Sequence, residues 1–338
     1  MLQRGDAILL LSFGGPDKAD EVMPFLENVL RGRNVPRERM LEVAGHYYHF
    51  GGRSPINDQN RALLAALRQI LAVEGPDLPV YWGNRNWHPL LADTLRQMTA
   101  DGVTRVFAFV TSAFSSYSGC RQYLEDIARA REAIGAAAPE VLKLRVFYNH
   151  PAFIETMAER VAAALEQVPA ERRASAALAF SAHSIPLAMA ETSNYVQQIE
   201  EACRLVAERV GRPSYRLVYQ SRSGSPGQPW LGPDVLEYLR ELAAAGGGDV
   251  VLAPIGFISD HMEVVYDLDT EARQLCDSLG LHMVRAATVG AHPRFASMIR
   301  ELVLERRGEV PPRALGQHGP SHDVCAADCC PAPKMRRP

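Results

Sequence analysis

The sequence predicts an α/β fold of two doubly wound, Rossmann-like domains whose parallel sheets face a common cleft. Three observations carry this. Short apolar runs recur in both halves of the chain, segments with helical spacing follow them, and the runs end in small residues followed by ionisable ones. Strands covered by helices on both faces read as unbroken apolar runs because neither face meets water.

Residues 7–12 read as the first strand, and residues 20–30 as a helix with Val22, Phe25, Leu26 and Val29 on one side. Residues 105–111 give another strand, followed by a loop over 112–118 and a helix through Tyr123, Ile127 and Ala130. The theme repeats at 176–180 and 250–255. Asn149-His150-Pro151 interrupts the pattern, which divides the chain into domains over 1–150 and 151–310. Residues 311–338, poor in bulky apolar side chains, form a tail that cannot build a core by itself and must be ordered by a ligand or a docking contact.

At 338 residues the chain can bury two cores of ordinary size. A net charge of -3 without a Lys/Arg run excludes nucleic-acid binding by bulk charge. The first apolar run is too short for a leader and passes into Gly14-Gly15-Pro16-Asp17, and no apolar stretch reaches 18 residues. The expectation is a monomeric cytoplasmic protein without a transmembrane segment. Gly14-Gly15-Pro16 lacks dinucleotide spacing, Gly246-Gly247-Gly248 precedes a strand, and the Gly-Lys-Ser/Thr phosphate loop is missing, so no nucleotide cofactor is expected.

The chemistry sits beyond two of the strands. His183, in Ser181-Ala182-His183-Ser184-Ile185-Pro186, is suited to proton transfer near pH 7 as a neutral imidazole. Glu263, Asp267 and Glu271 recur at every fourth position, in a row apart from Val264, Val265, Leu268 and Ala272. Three like charges in a row call for a cation or a proton to relieve them. The plain alternatives are a backbone-bonded loop histidine and a solvated helix face.

Both stretches, the second running from Asp260 to Glu271, resemble the signature segments of ferrochelatases. So do Tyr219-Gln220-Ser221-Arg222-Ser223-Gly224 and Pro229-Trp230-Leu231-Gly232-Pro233-Asp234. The resemblance runs in order from about residue 6 to 305. It implies a chelatase-type fold and a lyase-class enzyme of haem biosynthesis that inserts Fe2+ into a porphyrin. His183 then matches the catalytic histidine that takes pyrrole protons, Glu263 the carboxylate that works with it on protons or metal, and Asp267 and Glu271 continue the row along a helix with a wide π turn. Phe13 stands where some relatives carry tyrosine, and a phenyl ring can stack on the macrocycle but cannot ligate iron. Arg31, Tyr47, Ser54 and Tyr123 match positions that bind propionates, while Leu30 and His46 replace arginines common among relatives. The lack of a hydrophobic lip or membrane anchor resembles bacterial enzymes that metallate coproporphyrin III rather than protoporphyrin IX.

Of six cysteines, Cys120, Cys203 and Cys276 are scattered, whereas Cys325, Cys329 and Cys330 crowd the tail. Crowded thiols in a reducing compartment point to metal or cluster ligation. Some ferrochelatases hold a [2Fe-2S] cluster on three C-terminal cysteines and one from the body, and the resemblance nominates Cys120 for the latter. His318 or His322 could replace one thiol. The expected partners are porphyrin, Fe2+ and transiently the neighbouring haem-pathway enzymes. Two other functions fit the residues: loading cobalt or nickel into another tetrapyrrole, or carrying haem without catalysis, with the tail as an Fe-S sensor.

Overall fold

The computed structural model describes residues 5–32, 35–223 and 227–332, so Gly224 of the third signature segment and residues 333–338 of the tail lie outside the described residues. Strands β1 (Asp6–Ser12), β2 (Val80–Asn84), β3 (Arg105–Val110) and β4 (Glu140–Lys143) form one parallel sheet in the order β2-β1-β3-β4. Strands β5 (Ala177–His183), β6 (Arg216–Gln220), β7 (Asp249–Ala253) and β8 (His282–Arg285) repeat that order as β6-β5-β7-β8. The two doubly wound sheets expected from the alternation are therefore present, and both reverse direction at the strand that opens them. Such a reversal leaves a crevice at the carboxyl ends of the strands.

The helices in chain order are α1 (Val22–Val29), α2 (Arg37–His49), α3 (Ile56–Glu74), α4 (Leu91–Ala100), α5 (Gln122–Ile134), α6 (Pro151–Glu166), α7 (Leu187–Ala190), α8 (Tyr195–Arg209), α9 (Val235–Ala244), α10 (Met262–Val265), α11 (Arg273–Leu279) and α12 (Pro293–Arg306). Two π segments, Tyr117–Arg121 and Asp267–Ala272, lead into α5 and α11. The interruption at 149–151 is a helix start: His150 Nδ1 accepts from the Ala152 N–H, and Pro151 opens α6, where its missing N–H costs nothing.

Strand pleating sorts the core. Along β1, Ile8 and Leu10 face an inner layer while Ala7, Leu9 and Leu11 face an outer layer under α4 and α5. The inner layer is continuous between the two sheets. Phe109 of the first sheet stacks on Phe147 with ring centroids 5.0 Å apart, and Phe153 of α6 and Phe295 of α12 close around them. Although α12 is last in sequence, it packs on α3 as well as α6, and its Arg300 donates to the Glu74 carbonyl at 2.9 Å. This wedge fixes the facing of the two sheets.

One close approach fixes the floor of the cleft. Gly256, just after β7, lies so near β5 that an added Cβ would come 2.6 Å from Ala182 Cα, one residue before His183. Backbone cannot yield as a side-chain tip can. Gly256→Ala is accordingly expected to destabilise the fold by about 1–3 kcal/mol, read as a lower urea midpoint at unchanged slope. An unchanged midpoint would show that the two strands separate freely.

Candidate active site

His183 is the last residue of β5, whose preceding side chains Leu178 to Ala182 are buried. Its side chain is 32 % exposed, which opens it to the cleft. The residue is held at its backbone and at both ring nitrogens. Tyr195, the first residue of α8, donates its hydroxyl to the His183 carbonyl at 2.9 Å. The Nδ1 atom bonds to the Ser184 carbonyl, and because a carbonyl only accepts, Nδ1 carries a proton. That leaves Nε2 as the nitrogen free to exchange a proton, 3.3 Å from Glu263 Oε1.

Glu263 lies in the first turn of α10. The N-cap of that helix is His261, whose Nδ1 accepts from the Glu263 N–H at 3.2 Å. Burial and the neighbouring His183 hold the His261 pKa below its ordinary value, which keeps it a neutral cap. Beyond α10 the helix widens: the Glu271 N–H reaches back five residues to the Tyr266 carbonyl at 3.0 Å. Val264, Leu268 and Ala272 are buried, so Glu263, Asp267 and Glu271 line up on the open side, as their spacing predicts. Val265 is only half-buried.

The third signature segment supports the row. Gln220, at the end of β6, donates to the Glu263 carbonyl at 2.6 Å, and Ser221 Oγ donates to Asp267 Oδ2. Ser221 adopts φ 61°, the left-handed region that a non-glycine residue seldom enters. Residues 229–231 run along 185–187, with Leu187 N–H donating to the Pro229 carbonyl and Leu231 N–H to the Ile185 carbonyl, both at 3.0 Å. The backbone around Trp230 thus braces the loop that follows His183.

Proton affinities grade along the row. Burial alone would lower the His183 pKa, but the Glu263 carboxylate, the Ser184 carbonyl and Asp267 outweigh it and hold the imidazole up to about 9. Burial would raise Glu263, and His183 outweighs that to hold it at about 2. The direction runs against the neutral imidazole expected near pH 7, since the Glu263 carboxylate favours the protonated ring and His183 the ionised carboxylate. Asp267 is pushed up to about 7 by burial and by the Glu263 and Glu271 charges, against its Ser221 hydrogen bond. Glu271 is raised by burial and by Asp234. An acid that titrates near neutrality next to a charged pair can pass protons in either direction.

The opposite wall is aromatic. Phe13, 39 % exposed, meets Phe25 edge-on at 6.3 Å, and Phe25 also contacts Tyr47 at 5.7 Å and Trp87 at 6.1 Å. Trp87 donates its indole N–H to Glu21 at 2.8 Å, which makes it part of this packing. Tyr47 faces the second domain closely enough that, after burial, Glu263 helps to raise its pKa. His46 stacks on Tyr266 at 3.6 Å and 10°, joining α2 to the acidic segment across the cleft. Of the residues expected at the rim, Arg31 is exposed and Tyr47 half-buried, while Ser54 and Tyr123 are covered. Ser54 packs where Gly15 leaves room for it, and Tyr123 lies in the outer layer beneath the Arg85 guanidinium, 4.5 Å from its ring centroid.

The tail is ordered by docking. Arg121, in the π segment before α5, donates to the Cys329 carbonyl at 2.8 Å and also to that of Ala326. Cys120 Sγ thereby lies 4.0 Å from Cys325 Sγ, and Cys329 Sγ lies 3.8 Å from Cys330 Sγ and 3.6 Å from His322 Nε2. All are free thiols. His318 is turned away, beside Gln197 at 3.3 Å, whereas His322, Cys325 and Cys329 present donor atoms within 4.8 Å of one another. Cys203 and Cys276 are plain buried side chains.

Missed from the sequence were Tyr195 and the capping role of His261. The only sequence signal for the latter is its place two residues before Glu263 at a helix start.

The family model described as Ferrochelatase matches residues 5–307. The chain is 58 % identical over 327 residues to the ferrochelatase of Rhodopirellula baltica, covering 96 % of this chain and 93 % of that one. It is 54 % identical over 350 residues to the coproporphyrin III ferrochelatase of Streptomyces coelicolor, covering 97 % and 93 %. Among solved structures, Bacillus subtilis SirB with Fe3+ superposes with a TM-score of 0.53 at 14 % identity, over 90 % of this chain and 98 % of that one, which shows a shared fold.

Proposed function

The chain belongs to the ferrochelatase family, metal chelatases that insert Fe2+ into a porphyrin in haem synthesis, and we propose that its own porphyrin is coproporphyrin III. The observation that carries the catalytic reading is the pair of His183 Nε2 and Glu263 Oε1 at 3.3 Å, backed by a row of acids and facing an aromatic wall. Metallation replaces two pyrrole N–H protons by Fe2+. A cation arriving beside Glu263 offsets the negative field that keeps His183 protonated, so the imidazole gives up its proton and can then accept one from a pyrrole. Asp267 and Glu271 carry protons outward.

Coproporphyrin III has four carboxylates where protoporphyrin IX has two, so it needs donors on more of its edge. Arg31 and Arg37 are exposed near α1 and α2, and His46, Tyr47 and His49 line α2. The name of the Streptomyces relative points the same way. Anaerobic turnover with each porphyrin tests this. The expected kcat/KM favours coproporphyrin III by about tenfold or more; equal values would overturn the substrate, and faster metallation with Co2+ than with Fe2+ would favour a different metal.

The four thiols of Cys120, Cys325, Cys329 and Cys330 fit a [2Fe-2S] cluster, as two pairs at 4.0 and 3.8 Å with Arg121 and the buried Lys143 nearby to offset negative charge. When bound, the cluster would supply a one-electron couple and a staple between tail and body. The chain's own part is to hold the pairs close, through the Arg121 clamp. Anaerobically purified protein is expected to contain about two iron and two sulfide per chain, and Cys120→Ser to lose both; protein that binds neither would remove the cluster. No helix among the described residues is long and apolar enough to cross a membrane. With its unpaired thiols, the chain is read as a cytoplasmic monomer that meets the adjoining haem-pathway enzymes transiently.

A further inference from the structure

Helix α8 touches both the strand that ends at His183 and the tail, and three of these contacts follow one another at a spacing of three residues. Tyr195 opens the helix and holds the His183 carbonyl at 2.9 Å. Gln198, one turn on, accepts from the Ser115 N–H at 2.7 Å and donates to Ser115 Oγ at 3.0 Å, in the loop that leads to Cys120. Glu201, a further turn on, accepts the Gln317 N–H of the tail at 2.7 Å. Residues three apart on a helix share a face, so these are three points on one rigid element.

The tail contact is shaped for this fit. Gly316 has φ +77°, and an added Cβ would lie 1.8 Å from Glu201 Oε1. The neighbouring Leu315 N–H donates to the Asn149 carbonyl at 2.8 Å, and the Asn149 amide donates back to Gly319 at 2.7 Å. The tail is thus held on both sides of the point where it meets α8. At the other end, Tyr195 is buried and its ring meets Phe114 edge-on at 6.2 Å, so its hydroxyl cannot wander. The peptide it holds joins His183 to Ser184, and the Ser184 carbonyl is also the partner of Nδ1. A shift of that peptide rotates the imidazole and moves Nε2 relative to Glu263.

We propose that the docked tail positions the catalytic histidine through α8, with Glu201 receiving the tail and Tyr195 delivering the constraint to His183. Tyr195 and Glu201 are positioning residues. The proposal rests on the His183 reading given above, and requires no metal in the tail.

The test compares Tyr195→Phe, Gly316→Ala and the double variant with the wild type, in full-length protein under anaerobic turnover with Fe2+ and coproporphyrin III. Each single variant is expected to lower kcat by about tenfold with the porphyrin KM changed less than twofold, and to shift the titration midpoint of the His183 ring read by NMR. The double variant should lose little more than either single one, because both break the same link. Full multiplicative loss overturns the proposal. So does an effect of Tyr195→Phe without one of Gly316→Ala, or a fall in both with an unmoved His183 midpoint. If Gly316→Ala does not fold, Glu201→Ala replaces it, with Glu201→Gln, which keeps an acceptor for Gln317, expected to stay active. A wild type that metallates no porphyrin would fail the His183 reading instead, and is distinguished by that control.

Discussion

His183→Ala is expected to lower anaerobic metallation of coproporphyrin III by about 10²–10⁴-fold, the usual loss for a missing general base, while porphyrin affinity changes less than about threefold. The reason is geometric. Nε2 is the atom that faces both Glu263 and the open cleft, and the nearest other imidazole, His261, has its Nδ1 committed to the Glu263 N–H. The row offers no equal substitute at the position of Nε2, because Asp267 lies four residues further along it. Stopped-time turnover supplies the rate, and porphyrin fluorescence quenching supplies the affinity. A variant that keeps a tenth or more of the wild-type rate with unchanged affinity would take His183 out of the proton path.

Glu263→Gln is expected to cost about 10²-fold in turnover and to move the pH behaviour of His183 in a defined direction. In the wild type burial pulls the imidazole pKa down, and the Glu263 carboxylate is the largest influence raising it, to about 9. Without that charge burial acts against less opposition, and the midpoint should fall by more than about one unit. The sign of the stability effect follows. A histidine raised from 6.5 to about 9 contributes stability that is complete below 6.5 and is lost as pH rises through 9. A glutamate lowered from 4.5 to about 2 contributes stability that is complete above 4.5 and is lost as pH falls through 2. The wild type should therefore exceed Glu263→Gln in melting temperature most clearly between pH 4.5 and 6.5, with the gap closing on either side. A gap that widens above pH 9 would contradict the ion pair. Melting curves across pH, with NMR of the His183 ring, read both quantities.

The central strands were legible for a plain reason. The four runs recognised in the sequence correspond to β1, β3, β5 and β7, the inner strands of the two sheets, which are buried on both faces. The four unrecognised strands, β2, β4, β6 and β8, are all edges and mix exposed or half-buried residues with buried ones, so no apolar run marks them. The acidic row was legible because its spacing of four kept Glu263, Asp267 and Glu271 together even where the helix widens. The domain division was read at a helix start, but α12 crosses back to α3, and nothing in local periodicity records which neighbour a buried face will meet.

By itself, then, the sequence determined the α/β alternation, the end of β5 as the place for His183, the acidic row and the crowding of thiols in the tail. Each of these depends on residues within a turn or a strand of one another, where backbone geometry is fixed by period. Tertiary structure alone decided the rest. It raised the proton affinity of His183 through a carboxylate 80 residues away, buried Ser54 and Tyr123, brought Cys120 against Cys325, and set Tyr195 of the tail-bound helix against the strand that ends at His183. A pKa, an exposure or a metal-binding distance depends on which groups packing brings together and how much water it removes, and those pairings span long stretches of chain that no local pattern encodes.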